Sequence, residues 1–578
     1  MDIYTATIAV SIAVYIVIGN YAGRGVKKLD DYYVAGRRAP TLIIVGTLVA
    51  SVMSSTLFLG EAGFAYDGQA GPYVMWPQAA AAGYVIGAIL FGRYLRRSRA
   101  TTVAEFFGKR FNSPRVQKMA GVTIIFALSL YLLVVTQGGA ILLSELTDLT
   151  YVQSLVIAWL SYTTFTMYSG SRGVILTDTL MFLLFTIAGV AAAVFVISDF
   201  GGWPAIVTEL VTLEEKPGLM SWHGVIGHGT MWPTAIDYMI WAIIIDVSWL
   251  FVYIVGPWQA GRHLMARDEH VVLRSSCITC LIVIILQVTI YAFGASINMA
   301  NPEIEPYERA TVWASLNLLP ELLGAMLLAG IVAAVLSSAS TFLSLVGFSV
   351  SNDVGLYQNK DDAKKLRFTR WVMLVIGIVA LTVALVVPPS IFLLTMFVAT
   401  VFASSWGAVG IMSIWSKKIT AAAAFWGMLV GLVFNVVPAI LRTLGVIYLP
   451  SYLDPAVIGI VASLIAVLIV SSRTEVSREE KEYLVRLHET PPDELDAGKT
   501  RATLIAPALL ILMGLVVPLL QLRFSVLPYQ QATGTLAADG TLDWATGEVM
   551  LTLSWFVIYV SLGIFAIKAI RKQYMPAS

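Results

Sequence analysis

The sequence predicts an all-α integral membrane protein of about fifteen transmembrane helices, and three observations predict it. Of its 578 residues, 58% are apolar or aromatic and only 13% are charged, against roughly a quarter charged in a soluble domain. Apolar runs of about 20 residues, the length a helix needs to cross roughly 30 Å of hydrocarbon, recur along the whole chain. The basic residues fall in short clusters between those runs. A formal net charge of +1 leaves no electrostatic footprint for nucleic acid, so that partner is set aside and the lipid bilayer is the expected surrounding.

Taken in order, the runs lie at 3–20, 41–66, 73–95, 118–145, 151–170, 174–198, 236–257, 274–298, 321–347, 369–388, 390–415, 418–440, 453–471, 503–520 and 548–568. The first follows Met-Asp rather than a basic stretch and has no small-residue cleavage site, so it reads as a retained span. Alternating spans bring Arg24/Lys27/Lys28/Arg37/Arg38, Arg93/Arg96/Arg97/Arg99, Arg262/Arg267, Lys364/Lys365/Arg367, Lys417/Lys418 and Lys568/Arg571/Lys572 to one side. That side is the cytoplasm by the positive-inside rule, with the N-terminus outside and the C-terminus inside. The expected compartment is the plasma membrane, the inner membrane in a bacterium. Segments 199–235, 299–320 and 521–547 then lie outside. The polar linker 472–502 lies inside and reads as a charged helix, Ser477 to Leu487, before a Pro-Pro loop; a solvated connector is preferred over a docking site.

Polar interruptions of a span survive only inside the protein or beside a watery cavity, because an unsatisfied backbone group in lipid costs several kcal/mol. The second span contains one at Ala50-Ser51-Val52-Met53-Ser54-Ser55-Thr56, read either as a helix break or as hydroxyls bonded back to their own helix. The ninth carries Ser337, Ser338, Ser340 and Thr341, of which the first, third and fourth share a helix face while Ser338 looks to a neighbouring one. Small residues there serve close helix packing. With the break in the second span they also suit a hard monovalent cation, which takes neutral oxygens from hydroxyls and unwound carbonyls.

Intramembrane carboxylates are functional candidates. Asp178 sits about five residues into the sixth span, where a helix-start role at the interface competes. Asp246 lies amid Ile243-Ile244-Ile245 and Val247-Ser248-Trp249, with no lysine or arginine at similar depth, and so needs a proton, a hydrogen bond, water, or a cation. Glu61, nearer the outer end of the second span, is expected to face an external vestibule. Cys277 and Cys280 have no second pair to complete a metal cage and read as inert buried thiols, and His223 and His228 as loop residues. The sequence carries no H-E-x-x-H, G-x-S-x-G or Walker-type loop, which argues against an enzyme.

Six stretches resemble the sodium:solute symporter family of sodium-coupled proline, sugar, sialate and monocarboxylate carriers. They are Asp31-Tyr32-Tyr33-Val34-Ala35-Gly36-Arg37, Ala50-Ser51-x-Met53-Ser54, Thr102-Val103-Ala104-Glu105-Phe106-Phe107-x-x-Arg110-Phe111, Tyr168-Ser169-Gly170-Ser171-Arg172-Gly173-Val174 with Thr177-Asp178, Gln259 with Arg262 and Ala266-Arg267-Asp268-Glu269, and Ala334-Val335-Leu336-Ser337-Ser338. The resemblance covers about residues 1–475 and implies a LeuT-like 5+5 inverted repeat, with the first helix of each half broken. It divides the chain into an N-terminal helix and loop (1–40), a first repeat (41–198), an external loop (199–235), a second repeat (236–415), two added helices (416–471), the linker (472–502) and a C-terminal helix pair (503–578). The breaks are expected near Ser51–Ser54 and Asp246–Trp249.

The resemblance further implies sodium as coupling ion, held by the carbonyls of Ala50, Met53 and Ala334 and the hydroxyls of Ser337 and Ser338. A second sodium would fall on Asp178, Ser337, Ser340 and Thr341. The implied activity is symport of a small polar organic solute by alternating access, with a proton-coupled carrier or a sensor acting with a separate partner as competing readings. Val52 replaces the aspartate of the proline branch and Gln137 the arginine of the sialate branch, so the substrate is not carried over. Residues expected around it are Ser54 and Thr56, Tyr73, Trp76 and Gln78 on the third span, Gln137 on the fourth, and Asp246 and Trp249 on the seventh. The C-terminal pair is expected either to pack on the core or to bind a protein partner.

Overall fold

In hydrocarbon every peptide N–H and C=O must find a partner within the chain, which makes the helix the default for apolar runs of this length. The computed structural model describes residues 3–24, 28–76, 78–147, 149–355 and 361–575; Lys27 of the first basic cluster lies outside them. Among the described residues there is no sheet, only an isolated bridge between Ala39 and Ala266.

Twelve described helices are long and apolar enough to cross a membrane, and a bent pair makes a thirteenth span. The principal segments are α1 (Ile3–Gly23), the bent pair α2 (Thr41–Val52) and α3 (Thr56–Met75), α4 (79–97), α5 (Pro114–Leu146), α6 (151–169), α7 (Gly170–Asp199), α8 (Ala235–Val255) and α9 (Pro257–His263). They continue with α10 (Glu269–Met299), α11 (Glu321–Asp353), α12 (Asp362–Ala384), α13 (Ile391–Trp415), α14 (Ala421–Thr443), α15 (Pro455–Arg473), α16 (Arg478–His488), α17 (Ala497–Thr533) and α18 (Gly547–Tyr574). Of the fifteen expected spans, 73–95 and 151–170 are largely helical but do not qualify by length and apolarity. Arg93, Arg96 and Arg97 crowd the end of α4. Gly170, at φ 54° and ψ −154°, ends α6 in a conformation only glycine adopts without strain, and a Cβ there would press to 2.5 Å from the Tyr32 ring.

The breaks position everything that follows. α2 and α3 meet at a 50° bend, where Met53 leaves helical geometry at ψ 76°. The second span then continues to Met75 rather than 66, so Tyr73 and Trp76 belong to the end of α3 and its turn rather than to the third span, and Gln78, at φ 45°, precedes α4. The seventh span is unbroken through Asp246–Trp249, contrary to expectation; its interruption is at Gly256, with ψ 136°. Proline explains the shift, since Pro257 lacks an N–H and disfavours helical geometry in the residue before it.

α11 lies at the centre, with 83% of its most apolar window buried, while α1 at 17% and α12 at 22% face outward. Close packing depends on small residues: a Cβ on Gly46 would come within 2.7 Å of the Thr179 hydroxyl, so α2 and α7 touch backbone to backbone. The linker is docked rather than solvated. α16 starts in a capping box between Ser477 and Glu480 and buries Glu480, Leu484 and Leu487. His488 contacts the Ile414 carbonyl at 2.9 Å, and the Ala421 amide donates to Glu480 at 2.8 Å. The C-terminal pair also joins the core: Gln521 donates to the carbonyl of Val74, Trp555 to that of Met75 and Tyr559 to that of Gln78, at 2.8, 2.9 and 2.8 Å.

Candidate functional site

Two polar regions meet at the α2–α3 bend. In the first, Ser54 N–H turns back to the Val52 carbonyl at 2.9 Å instead of continuing the helix to Ala50. The Ala50 carbonyl instead faces the Ser338 hydroxyl, 3.5 Å away on α11. Ala50, Met53, Ala334, Ser337 and Ser338 are all buried around this junction. The helix-face reading of α11 holds, with Ser338 on α2 and Ser337 and Thr341 turned to α7 and α9.

Asp178 is fully buried, not interfacial. Its carboxylate accepts from Thr47 and Ser337, each at 2.6 Å, and pairs with the Arg262 guanidinium at 3.4 Å. Arg262 also donates to Thr341 at 2.5 Å, while Ser340 bonds back to the Ser337 carbonyl at 2.8 Å. Arg262 is therefore a buried partner of Asp178 and not the solvated loop charge that the orientation argument assumed. Three hydroxyls, those of Thr47, Ser337 and Thr341, share the hydrogen bonding of this buried ion pair, and removing one partner of the pair would leave an uncompensated charge.

The second region is a cavity of about 80 Å³ on the other side of the bend. Val52, Met53 and Glu61 form one wall, and Tyr73, Trp76 and Gln78 a second. Asp246 and Trp249 stand on α8, with Tyr131 from α5 and Tyr291 from α10. Trp76 donates to Asp246, and Trp249 Nε1 lies 3.3 Å from the sulfur of Met396. Glu61 accepts from Tyr291 and, at 3.5 Å, from Gln287. It thus lines the cavity.

Three residues expected around the solute sit elsewhere. Ser54 caps the Thr56 amide at 3.0 Å, and Thr56 meets Thr395 at 3.1 Å. Gln137 is buried, donating to the Val387 carbonyl at 2.7 Å. Sequence reasoning missed Tyr131, Tyr253, Gln287 and Tyr291. Gln287, a polar side chain midway along an apolar run, carried a usable signal; the tyrosines were indistinguishable from interfacial anchors.

Two of the lining rings, Tyr73 and Trp241, also pack on Phe64. It stacks on Phe392 with centroids 4.2 Å apart and meets Tyr73, Trp232 and Tyr307 edge-on at 5.6, 5.7 and 6.3 Å. Trp232 and Tyr307 come from the two long segments between α7 and α8 and between α10 and α11.

The chain is similar to a sodium/pantothenate symporter of Escherichia coli, 24% identical over 451 residues, covering 76% of this chain and 90% of that protein. It is similar to a sodium/proline symporter of Haemophilus influenzae, 26% identical over 455 residues, covering 72% and 84%. Among solved structures, a substrate-bound outward-open sodium-coupled sialic acid symporter superposes with a TM-score of 0.68 at 18% identity, covering 83% of this chain and 99% of that one. The nucleobase-cation-symport transporter Mhp1, in a closed conformation, gives 0.50 at 15% identity, covering 79% and 98%. These likenesses establish the LeuT-like fold. Residues 32–431 match the model of the sodium:solute symporter family, and the chain belongs to that family.

Proposed function

We propose that the sodium-coupled symport of a small organic solute, the activity of this family, runs here through the α2–α3 bend. Sodium binds on its α11 side and solute in the cavity on the other. The observation that carries the reading is Met53, which leaves helical geometry at the bend and also lines the cavity. One residue shared by two sites is a physical route to coupling, because fixing the bend for the ion also fixes the cavity wall for the solute.

Sodium is held by the carbonyls of Ala50, Met53 and Ala334 and the hydroxyls of Ser337 and Ser338. A second sodium on Asp178, Ser337, Ser340 and Thr341 would compete with the Arg262 guanidinium for the same carboxylate. The solute touches Tyr73, Trp76, Gln78, Asp246 and Trp249. Two inverted five-helix halves, 41–198 and 236–415, rock against each other, α4 and α6 completing fifteen spans. With the N-terminus outside, the ring cluster on Phe64 is the external closure and α16 with its linker lies in the cytoplasm. Sodium leaves inward down its gradient and the membrane potential, about 2.3 kcal/mol per charge per 100 mV.

The test is solute-dependent thermal stability of the purified protein in Na⁺ and in matched K⁺. A solute that stabilises only in Na⁺, and loses that effect in Ser338→Ala, supports the reading. Solute affinity equal in the two salts would overturn it.

A further inference from the structure

We infer that the solute is a small organic cation, held between Glu61 and Asp246 inside an aromatic box. The inference rests on the reading above that the cavity is the solute site, and it names the chemistry that site selects.

The two buried acidic regions are treated differently by the fold. Asp178 has the Arg262 guanidinium beside it. Glu61 and Asp246 have only neutral donors: a tyrosine hydroxyl and a glutamine amide for the first, an indole N–H for the second. None of the described residues lining the cavity is a lysine, arginine or histidine. Neutral donors steady a carboxylate without cancelling its charge, and an unneutralised carboxylate at membrane depth is costly. A cation entering the cavity would supply the counter-charge that the lining lacks.

The rest of the lining fits a cation as well. Trp241 and Trp249 with Tyr131, Tyr253 and Tyr291 line the space with aromatic rings, a residue type whose π electrons attract ammonium groups. The Tyr131 hydroxyl is fully buried with the Ser54 and Thr56 hydroxyls beside it and adds a neutral polar group to the lining. A carboxylate solute would instead add a third negative charge to a box without a basic side chain. Glu61 stands on α3 and Asp246 on α8, so the cavity presents carboxylates from two helices, and a diamine carries a positive group for each.

The experiment uses the full-length protein in Na⁺ and in K⁺, with putrescine as the dicationic probe. Choline serves as a monocation, and betaine, proline and pantothenate as zwitterionic and anionic controls. Putrescine is expected to stabilise the protein and to drive sodium-dependent uptake into proteoliposomes. Asp246→Asn is expected to weaken its binding by about ten- to a hundredfold, the worth of one charge-assisted hydrogen bond. The sodium-induced thermal shift should persist in that variant, showing that it is folded. Glu61→Gln should weaken putrescine more than choline. If sodium stabilises the protein but only betaine, proline or pantothenate adds to it, or no cation does, the inference is overturned while the symporter reading stands. If sodium itself has no effect and no solute distinguishes Na⁺ from K⁺, the symporter reading fails first.

Discussion

The hydroxyl-lined region around Asp178 and the aromatic cavity around Asp246 are both polar and both lie at the α2–α3 bend, yet they are built on opposite plans. Around Asp178 the partners are short and close: Thr47, Ser337 and Arg262 reach it from three helices, and glycine at position 46 brings α2 against α7. Around Asp246 the cavity is lined by large rings from α3 and the turn after it, α5, α8 and α10. The Asp178 region is closed in charge, its carboxylate paired with a guanidinium, although the buried Arg262 Nε has no hydrogen-bond partner; the Asp246 region is open in charge, with no basic side chain among the described residues that line it.

Substitutions should separate the two plans, and the largest effect belongs to the closed one. Asp178→Asn leaves Arg262 buried without its counter-charge and is expected to cost about 3–5 kcal/mol in unfolding free energy. Asp178→Leu combined with Arg262→Met should recover most of that loss; if the double variant is no more stable than Asp178→Asn, the ion pair is not what the packing depends on. Next, Gly46→Val forces a side chain into space where a Cβ already meets Thr179 at 2.7 Å. About 1–3 kcal/mol of destabilisation is expected, together with a weaker sodium response. The open region should behave otherwise. Trp76→Phe removes the donor to Asp246 and should reduce solute affinity several-fold with little change in stability in the absence of solute, read from binding and from melting of the same sample. Tyr559→Phe removes one hydrogen bond to the Gln78 carbonyl, worth about 1 kcal/mol.

A pH-dependent effect lies outside both. Lys216, in the segment between α7 and α8, donates to the Tyr66 carbonyl and to Asn298, each at 2.9 Å, and lies over the Tyr66 ring. Burial lowers its pKa to about 8, below the ordinary lysine value. The unfolded chain therefore holds the proton more tightly, and stability should rise as pH climbs from about 8 toward the unfolded value near 10.5. In Lys216→Met that rise should be lost, measured by thermal melting across the interval.

Much of this could be read from the sequence, for reasons that differ by residue. Apolar run length fixed most spans, since the bilayer sets one length for all of them. The α2 break and the α11 hydroxyls were legible because small polar residues inside a span have few other uses. The break in the second half was misplaced because attention went to Asp246, whereas Gly256-Pro257, a stronger helix interruption, stood ten residues on. Arg262 is not legible as a buried partner, because a single arginine near a span end looks the same in sequence whether it faces water or folds back onto a carboxylate. Gln137 was drawn into the solute group by analogy of position, and its amide is spent on the Val387 carbonyl instead.

The bonds from Trp555 and Tyr559 to the carbonyls of Met75 and Gln78 carry a consequence for biogenesis. Tyr559 and Gln78 are separated by 481 positions. At a ribosomal pace of roughly 5–20 residues per second, the turn beneath Trp76 waits about half a minute or longer for its partners. Closing so long a loop adds little to the final free energy, because that cost grows only logarithmically. In the interval the carbonyls of Val74, Met75 and Gln78 must be met by water or by whatever shelters the nascent helices, so insertion of this chain depends on a nursery that tolerates an unfinished floor.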